Sequence, residues 1–360
     1  MKLAIMTFQK TNNYGGILQN FALQKSIEKL GFEVETINYV GSYIEKPYRI
    51  EHLKNKGLKA YLFGVAGYVI YLFRGNNNRK FKKRIKYTKP VTGKELKELN
   101  NQFDYFVTGS DQVWNYKLTG DDDNFFLGFV EDKKKCISYA ASLGLGKIDE
   151  DKYYLFHDLY SFGGLSTREI SAKNEIQKII DKEIEVVCDP CLLLSKSMWN
   201  EIIKKNKYHK EYVFVYQLGF SPDVVCLAKK IAKKYRISMV FAPFPVGRMA
   251  CGKWDFFAGA GEILSYISNA RFVVTDSFHG TIFSIIFEKQ FYTKAGGTHS
   301  GVGNRIVDLL THYNLQDRII SGELKNISEI IDYSKVSNIL ELDRIRSLDY
   351  LEKCLKSKVE

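Results

Sequence analysis

Short apolar segments that suit buried β-strands alternate with amphipathic segments along most of the chain, and this alternation constrains the fold more than any other feature. It is typical of parallel α/β sheets with helices between successive strands. The clearest helix is predicted over 17–30, where apolar side chains recur at helical spacing and Gly31 follows as a stop. The predicted strands are KLAIMTF, EVETINY, YFVTG, CISYAAS, the stretch before Ser166, IEVVCDP, YVFVYQL, SMVFAP and RFVVTD.

The chain length favours two domains. Its 360 residues exceed one ordinary core and suit two domains of roughly 150–200 residues each. A polar, basic stretch near 195–210 divides the two runs of alternation and is predicted to be the hinge region. We predict a Rossmann-like domain over 1–195, a second over 196–330, and a C-terminal segment over 331–360 whose helix packs back across both.

Charge and cysteine usage narrow the class of protein. The formal net charge of +12 suits nucleic acid, an anionic membrane or an anionic small substrate. No zinc finger, RNP-like strand or basic helix with interleaved aromatic residues occurs, so nucleic acid is not expected as a partner. The start MKLAIMTF looks like a first strand rather than a signal peptide, and six scattered cysteines suit reduced thiols. We therefore expect a cytoplasmic protein.

Neither of the two candidate metal patterns is convincing. Cys188 and Cys191 form a C-x-x-C pair, but they bracket Asp-Pro at the end of a predicted strand and lack a second ligand pair. The acidic run 121–123 lies in a polar stretch without histidine and is interpreted as solvated surface. No metal and no cofactor are expected.

One segment, within an inserted region at about 55–90, departs from the alternation. Residues 58–73 are strongly apolar but shorter than the ~20 residues of a membrane span. Eight basic residues and no acid follow between Arg74 and Lys89. Two interpretations stay open: an inserted helical pair that covers the first domain, or a dock on an anionic membrane surface with apolar and basic sides.

Three polar loops follow predicted strands, and such strand ends face the ligand crevice in doubly wound sheets. The first, TNNYGG, allows close backbone approach at a helix start; its candidates Asn13, Tyr14 and Gly15 suit an anion or a sugar, or only a tight turn. The second, TGSDQVWN, offers Asp111 as a base, Gln112 as a hydrogen-bonding amide and Trp114 as a stacking ring; capping and core packing are the alternatives.

The third loop, TDSFHG, precedes an apolar helix and carries the best catalytic candidate. His279 can exchange protons near neutral pH. The N-terminus of the following helix can hold a phosphate or carboxylate. Ser277, Phe278 and Gly280 flank the histidine, and they are candidates for binding the substrate that carries this phosphate or carboxylate.

Three arginines are candidates for binding anions, because the planar guanidinium matches carboxylate and phosphate. Arg168 lies in STRE at another strand-to-helix transition, with an ion pair to Glu169 as the alternative. Arg305 follows a glycine-rich loop and opens an apolar helix. Arg248, after PFPVG, is a weaker candidate of the same kind.

Taken together and in order, these motifs resemble the polysaccharide pyruvyl transferase family. The resemblance spans roughly 1–315 and rests on NNYGGILQNFALQKSIEKLGFEVETINY, TGSDQVWN, SYAAS, LSTRE, the DP after IEVVC, and TDSFHGTIFS. It implies a fold similar to the GT-B glycosyltransferases, with two Rossmann-like domains facing a central cleft. It also implies transfer of pyruvate from phosphoenolpyruvate to a sugar of a capsule, exopolysaccharide or wall polymer, often as a lipid-linked precursor at the inner membrane face.

The resemblance also assigns roles to residues. The family's histidine corresponds to His279, the expected proton donor, and its Ser-x-Arg-Glu arginine to Arg168. Some members have an arginine two residues before the histidine, where this chain has Ser277, so Arg248 or Arg305 is expected to supply the missing cation. Two alternatives stay open: a glycosyltransferase that uses a nucleotide sugar, and an inactive carbohydrate-binding homologue.

Overall fold

The chain folds around two parallel β-sheets. The computed structural model describes residues 1–41, 58–219, 221–242, 252–296, 302–321, 327 and 330–356. The first sheet has seven strands in the order β3-β2-β1-β4-β5-β6-β7, and the second has five in the order β10-β9-β8-β11-β12. The strands are β1 (Lys2–Met6), β2 (Glu33–Tyr39), β3 (Tyr87–Val91), β4 (Tyr105–Asp111), β5 (Cys136–Ala141), β6 (Ser166–Thr167), β7 (Glu185–Val186), β8 (Tyr212–Tyr216), β9 (Ser238–Phe241), β10 (Lys253–Trp254), β11 (Phe272–Thr275) and β12 (Gln290–Thr293).

Helices connect most successive strands in the part of the chain that the structure describes, as expected where the strand pairs are parallel. In each sheet the strand that comes first in sequence, β1 or β8, lies in the interior of the sheet. Later strands are added first on one side of it and then on the other, which is the Rossmann pattern. The helices are α1 (Tyr14–Lys29), α2 (Leu58–Lys82), α3 (Tyr116–Thr119), α4 (Ile170–Ile176), α5 (Pro190–Leu193), α6 (Lys196–Asn200), α7 (Pro222–Tyr235), α8 (Ala260–Asn269), α9 (Phe278–Ile286), α10 (Val302–His312) and α11 (Tyr333–Lys356). Short 3-10 helices occur at 96–101, 123–126, 133–135, 150–161 and 316–318.

The predicted α/β class is confirmed, and all but one of the predicted strands overlap an observed strand. The exception is the stretch before Ser166, because β6 consists of Ser166 and Thr167 themselves. The helical pair predicted within 55–90 is wrong in part. Residues 58–82 form one helix, α2, and 87–91 form the edge strand β3 of the first sheet. Pro90 is tolerated in β3 because an edge strand needs hydrogen bonds on one side only. The strands of the two sheets lie within 2–186 and 212–293, while the predicted domain boundaries stay predictions.

A continuous apolar core joins the two halves of the chain. It combines α1 of the first half with β8, α8 and α9 of the second. Trp199, fully buried, connects them: its ring centroid lies 5.8 Å from that of Phe21 in α1 and 4.9 Å from that of Phe283 in α9. This packing holds the loops that follow β1 and β11 against each other.

The C-terminal helix α11 contacts residues from both halves. The Tyr350 hydroxyl donates to the carbonyl of Ser138 in β5 at 2.8 Å. Asp343 accepts from the Tyr313 hydroxyl at 2.7 Å, just beyond α10. None of the helices in the described ranges is long and apolar enough to cross a membrane.

Candidate active site

The centre of the site is the contact between His279 and Gly15. His279 is the second residue of α9, only 7% exposed, and its ring lies directly over the first turn of α1. A Cβ atom at Gly15 would lie 2.0 Å from His279 Nδ1, so only glycine allows this approach. The first turns of α1 and α9, the helices that follow β1 and β11, therefore meet at these two residues.

The residues beside His279 shape the start of α9. Ser277 is the N-cap, and its hydroxyl oxygen accepts a hydrogen bond from the backbone N–H of Gly280 at 3.2 Å. A Cβ at Gly280 would lie 2.6 Å from Thr275 Oγ1 and 2.9 Å from Tyr216 Cδ1. Ser277 and Gly280 thus orient and pack the helix that carries His279.

Two buried arginines surround the ring of Phe278. The guanidinium carbons of Arg168 and Arg305 lie 4.4 Å and 5.4 Å from its centroid. Burial, together with the nearby charge of Arg168, lowers the pKa of Arg305 to about 10. Arg168 is also buried, but Glu169, Asp189 and Asp111 outweigh that burial and raise its pKa above the ordinary value. Both arginines therefore remain cationic at neutral pH.

Asp189 links Arg168 to His279. One of its carboxylate oxygens lies 2.8 Å from Arg168 Nη1 and 3.6 Å from His279 Nε2. The other accepts a hydrogen bond from the backbone N–H of Cys191 at 2.9 Å. Burial would raise the pKa of this carboxyl, but His279, Arg168 and the Cys191 N–H hold it well below its usual range. Asp189 therefore orients both groups as a carboxylate.

Asp111 ends β4 in a strained conformation. Its φ of 77° is in the left-handed region, uncommon for a residue other than glycine, and its side chain is buried. Its Oδ1 accepts from the backbone N–H of Gln112 at 2.9 Å. A Cβ at Gly16 would lie 3.5 Å from its Oδ2, so the carboxylate lies beside the first turn of α1. The amide oxygen of Gln112, turned towards Arg305, accepts from Nη1 of that arginine at 2.9 Å.

Three buried nitrogen atoms of this cluster have no hydrogen-bond partner among the described residues. They are Arg168 Nη2, Arg305 Nε and His279 Nε2. Buried polar atoms are normally hydrogen-bonded, so these three are candidates for contact with a ligand or with water. Of the other two Arg168 nitrogens, Nη1 pairs with Asp189 and Nε pairs with Glu169, each at 2.8 Å. The pair with Glu169 is the ion pair expected as the alternative for Arg168. The unpartnered atoms suit an anionic ligand with several oxygen acceptors.

Three of the residues predicted to bind a sugar pack in the core or cap a helix, whereas Gly15 and Gln112 contact the cluster. Trp114 is fully buried and stacks on Phe126, which favours core packing and leaves no ring face for a sugar. Tyr14 is also buried, and its hydroxyl donates to the carbonyl of Ala258 at 2.8 Å. Asn13 caps α1 by accepting from the N–H of Gly15. Arg248 lies outside the described residues.

The sequence motifs missed Asp189 as a site residue. It follows the predicted strand IEVV, and its strand β7 neighbours β6, which Arg168 follows. Position at the same edge of one parallel sheet is the signal that could have identified it. Asp189, Cys191 and His279 each offer a potential metal ligand within 4.8 Å of one another. However, burial raises the pKa of the Cys191 thiol, and Asp189 already pairs with Arg168, so this trio suits orientation of His279 better than cation binding.

A cavity of about 260 Å³ lies beside the cluster, and α10 and α11 form its other walls. Phe278 gives it an apolar face, whereas His279, Asp111 and Gly15 are not among its lining residues. The charged lining combines Arg168, Arg305 and Arg346 with Glu169, Asp189, Asp308 and Asp343. Both donors and acceptors are therefore available to a polar ligand that reaches the two buried arginines.

The model of the polysaccharide pyruvyl transferase family matches residues 13–295, a span that includes Gly15, Asp111, Arg168, Asp189 and His279. The chain belongs to this family. A comparison with curated proteins found no match. The resemblance deduced from the ordered motifs is thereby confirmed, although Arg305 lies beyond the matched span.

Solved structures share the architecture of this pyruvyl transferase family member at low sequence identity. The S. aureus MnaA–UDP co-structure is 10% identical, with 100% of this chain and 98% of that chain covered and a TM-score of 0.50. UDP-GlcNAc 2-epimerase from Methanocaldococcus jannaschii, in complex with UDP-GlcNAc and UDP, is 14% identical over 96% of this chain and 93% of its own, with a TM-score of 0.47. An α-glucosyltransferase in complex with UDP and a 13-mer DNA is 11% identical over 99% and 95%, with a TM-score of 0.48. The predicted GT-B-like fold class is confirmed.

Proposed function

We propose that this protein transfers pyruvate from phosphoenolpyruvate to a sugar of a polysaccharide or of a lipid-linked glycan precursor, forms a pyruvate ketal and releases phosphate. Family membership supports pyruvate transfer. The observation that supports this donor is the set of unpartnered nitrogens on Arg168, Arg305 and His279. A carboxylate and a phosphate on one small molecule would supply acceptors for such a set.

The proposed reaction has two steps. A sugar hydroxyl adds to C2 of phosphoenolpyruvate, the electron pair of the C2–C3 double bond takes a proton at C3, and the hydroxyl proton goes to a base. A second hydroxyl of the same sugar then forms a bond to C2 as the C2–O bond to phosphate breaks, and its proton also leaves. One ketal and one phosphate result, without oxidation or reduction.

His279 is the proposed acid, because its ring is fixed by Gly15 and faces the carboxylate of Asp189. It donates the proton to C3 or neutralises the departing phosphate. Asp111 is the proposed base for the acceptor hydroxyl, and its strained backbone is in keeping with a functional role. Arg168 and Arg305 hold the carboxylate and phosphate of the donor. No metal or cofactor takes part in this scheme.

The test is phosphate release from phosphoenolpyruvate in the presence of a panel of lipid-linked and model glycosides. His279→Ala should lower the rate by about 10²–10⁴, because it removes a positioned acid. His157→Ala is the matched control and should retain the rate, because His157 is exposed and is not one of the candidate site residues. Unimpaired phosphate release by His279→Ala would show that the assignment of the acid is wrong.

A nucleotide-sugar glycosyltransferase is the second candidate, and the UDP in the MnaA co-structure is the observation that favours it. This reaction would release a nucleoside diphosphate rather than phosphate. Titration calorimetry separates the candidates: we expect phosphoenolpyruvate to bind and UDP not to compete. Binding of UDP with no binding of millimolar phosphoenolpyruvate would favour the glycosyltransferase, and binding of neither would favour an inactive homologue.

We also propose a cytoplasmic location. No two of the five described cysteines form a disulfide, in keeping with a reducing compartment. The proposed donor, phosphoenolpyruvate, is a cytoplasmic metabolite, so this location places the enzyme in the same compartment as its donor.

A further inference from the structure

One face of α2 carries an exposed apolar stripe that continues into a basic end. Val69, Leu72 and Phe73 are 40%, 50% and 57% exposed. Together with Asn76 and Lys80 they recur at i, i+3, i+4, i+7 and i+11, which places all five on one side of the helix. The stripe from Val69 to Lys80 extends for roughly 16 Å at 1.5 Å per residue.

The second half of the chain contributes to the apolar end of this stripe. Phe257, itself 42% exposed, lies edge-on to Phe73 with ring centroids 5.3 Å apart. Adjacent exposed rings form a contiguous apolar surface, and larger exposed apolar patches mark sites of interaction. The apolar end is therefore a small patch built from both halves of the chain.

The basic end carries four cations that have no ion-pair partner among the described residues. Arg79 and Lys80 in α2, and Lys83 and Arg84 directly after it, are all exposed. None of the four forms a salt bridge with another described residue. Positive charge left unpaired beside exposed aromatic rings complements a surface that is both anionic and apolar beneath its charged layer.

The opposite face of α2 is fixed to the candidate active site. The Lys82 ammonium donates to the carbonyls of Gln9 and Thr11, at 2.8 Å each, and Asn78 donates to the carbonyl of Asn12 at 3.3 Å. These residues form the loop that leads to Gly15. Asn78 also accepts from the N–H of Ala260 in the second half, at 3.0 Å. The exposed stripe thus lies on the side of α2 opposite the loop that leads to Gly15.

We propose that the α2 stripe docks the protein on the surface of a bilayer that contains anionic phospholipid. Leu72, Phe73 and Phe257 enter the boundary between headgroups and acyl chains, while Lys80 and its basic neighbours contact the phosphates. A helix lying in the plane of the interface brings both ends of the stripe to the same depth. This docking does not depend on pyruvyl transfer, and a lipid-binding result leaves the proposed reaction untouched.

Vesicle co-sedimentation of the full chain tests the proposal. The probes are vesicles of equal parts phosphatidylglycerol and phosphatidylcholine, and vesicles of phosphatidylcholine alone. We expect binding to the anionic vesicles that weakens with added salt, and little binding to the neutral ones. Absence of binding to the anionic vesicles, or equal binding to both, would overturn the proposal.

Two double variants test the two ends of the stripe separately. Leu72→Ser with Phe73→Ser removes the apolar end, and Lys80→Glu with Lys83→Glu reverses the basic end; each should weaken binding roughly tenfold or more. The matched control is Leu342→Ser with Ile345→Ser, because these residues of α11 are 55% and 49% exposed and lie outside the stripe. Circular dichroism checks that each variant folds. Retained binding in both stripe variants, or an equal loss in the control, contradicts docking through α2.

Discussion

At Gly15 the absence of a side chain allows the two halves of the candidate site to touch. Gly15→Ala would place a methyl group 2.0 Å from His279 Nδ1, so the ring must move. We expect kcat for phosphate release to fall about 10²-fold, the cost of a displacement near 1 Å at a reacting group. Gly146→Ala is the matched control, because a Cβ there meets no atom within 4 Å. Full activity in Gly15→Ala would mean that the position of His279 is not critical.

Asp189 makes a prediction about stability and pH. Because its pKa is lower in the folded protein than the ordinary value of about 3.9, its ion pair stabilises the fold above about pH 4, and this contribution is lost as pH falls through the folded pKa. Asp189→Asn should therefore cost about 3–5 kcal/mol near neutral pH, as for other broken buried pairs. In urea unfolding, the difference from wild type should narrow below about pH 4. Parallel pH profiles for the two proteins would contradict the assignment.

The sequence indicated the candidate site residues that have distinctive chemistry, a histidine and two arginines. It was less informative where burial determines whether a residue belongs to the core or to the site. His279, Arg168 and Arg305 lie together as their motifs indicated. Trp114 and Tyr14 are buried, and nothing in their spacing separates a core aromatic residue from one that stacks on a sugar. Asp189 was missed because its importance comes from partners distant in the chain.

At the scale of elements, the position of Ser277 at the start of α9 indicates a structural role for its side chain. Its hydroxyl caps the helix, so Ser277→Ala should destabilise the protein by about 1 kcal/mol while KM for phosphoenolpyruvate changes little. Ser221→Ala is the matched control, since Ser221 precedes α7 but makes no side-chain cap bond. Thermal unfolding and steady-state kinetics measure the two effects. A large rise in KM without loss of stability would instead support donor binding by Ser277.

Elements with strong periodicity were predictable, and elements defined by their neighbours were not. The periodic segment 17–30 indicated α1, which spans Tyr14–Lys29. Strand β3 contains Lys89 and Pro90, and only its pairing with β2 makes it part of the sheet. The apolar and basic halves of 58–82 differ so much in composition that they suggested a pair of helices, although one helix contains both.

At the scale of the whole molecule, the two halves are joined by the core around Trp199 and by the site itself. A donor that contacts both Arg168 and His279 would bridge them and should stabilise the folded chain. Phosphoenolpyruvate at 100 times its Kd should add about 2.7 kcal/mol to the free energy of unfolding. Arg305→Ala should reduce that gain, while the exposed Arg271→Ala should not. A thermal shift that is the same in both variants would exclude Arg305 from the donor site.

The fate of the C2 carbon of phosphoenolpyruvate tests the central claim most directly. The protein is incubated with donor labelled with carbon-13 at C2, with a nucleotide sugar and with the glycoside panel, and the products are examined by NMR. Pyruvyl transfer predicts that the label appears as a ketal carbon bound to two sugar oxygens, with one phosphate released for each ketal. Label that stays in phosphoenolpyruvate while a nucleotide sugar is consumed with release of its nucleoside diphosphate would contradict the account.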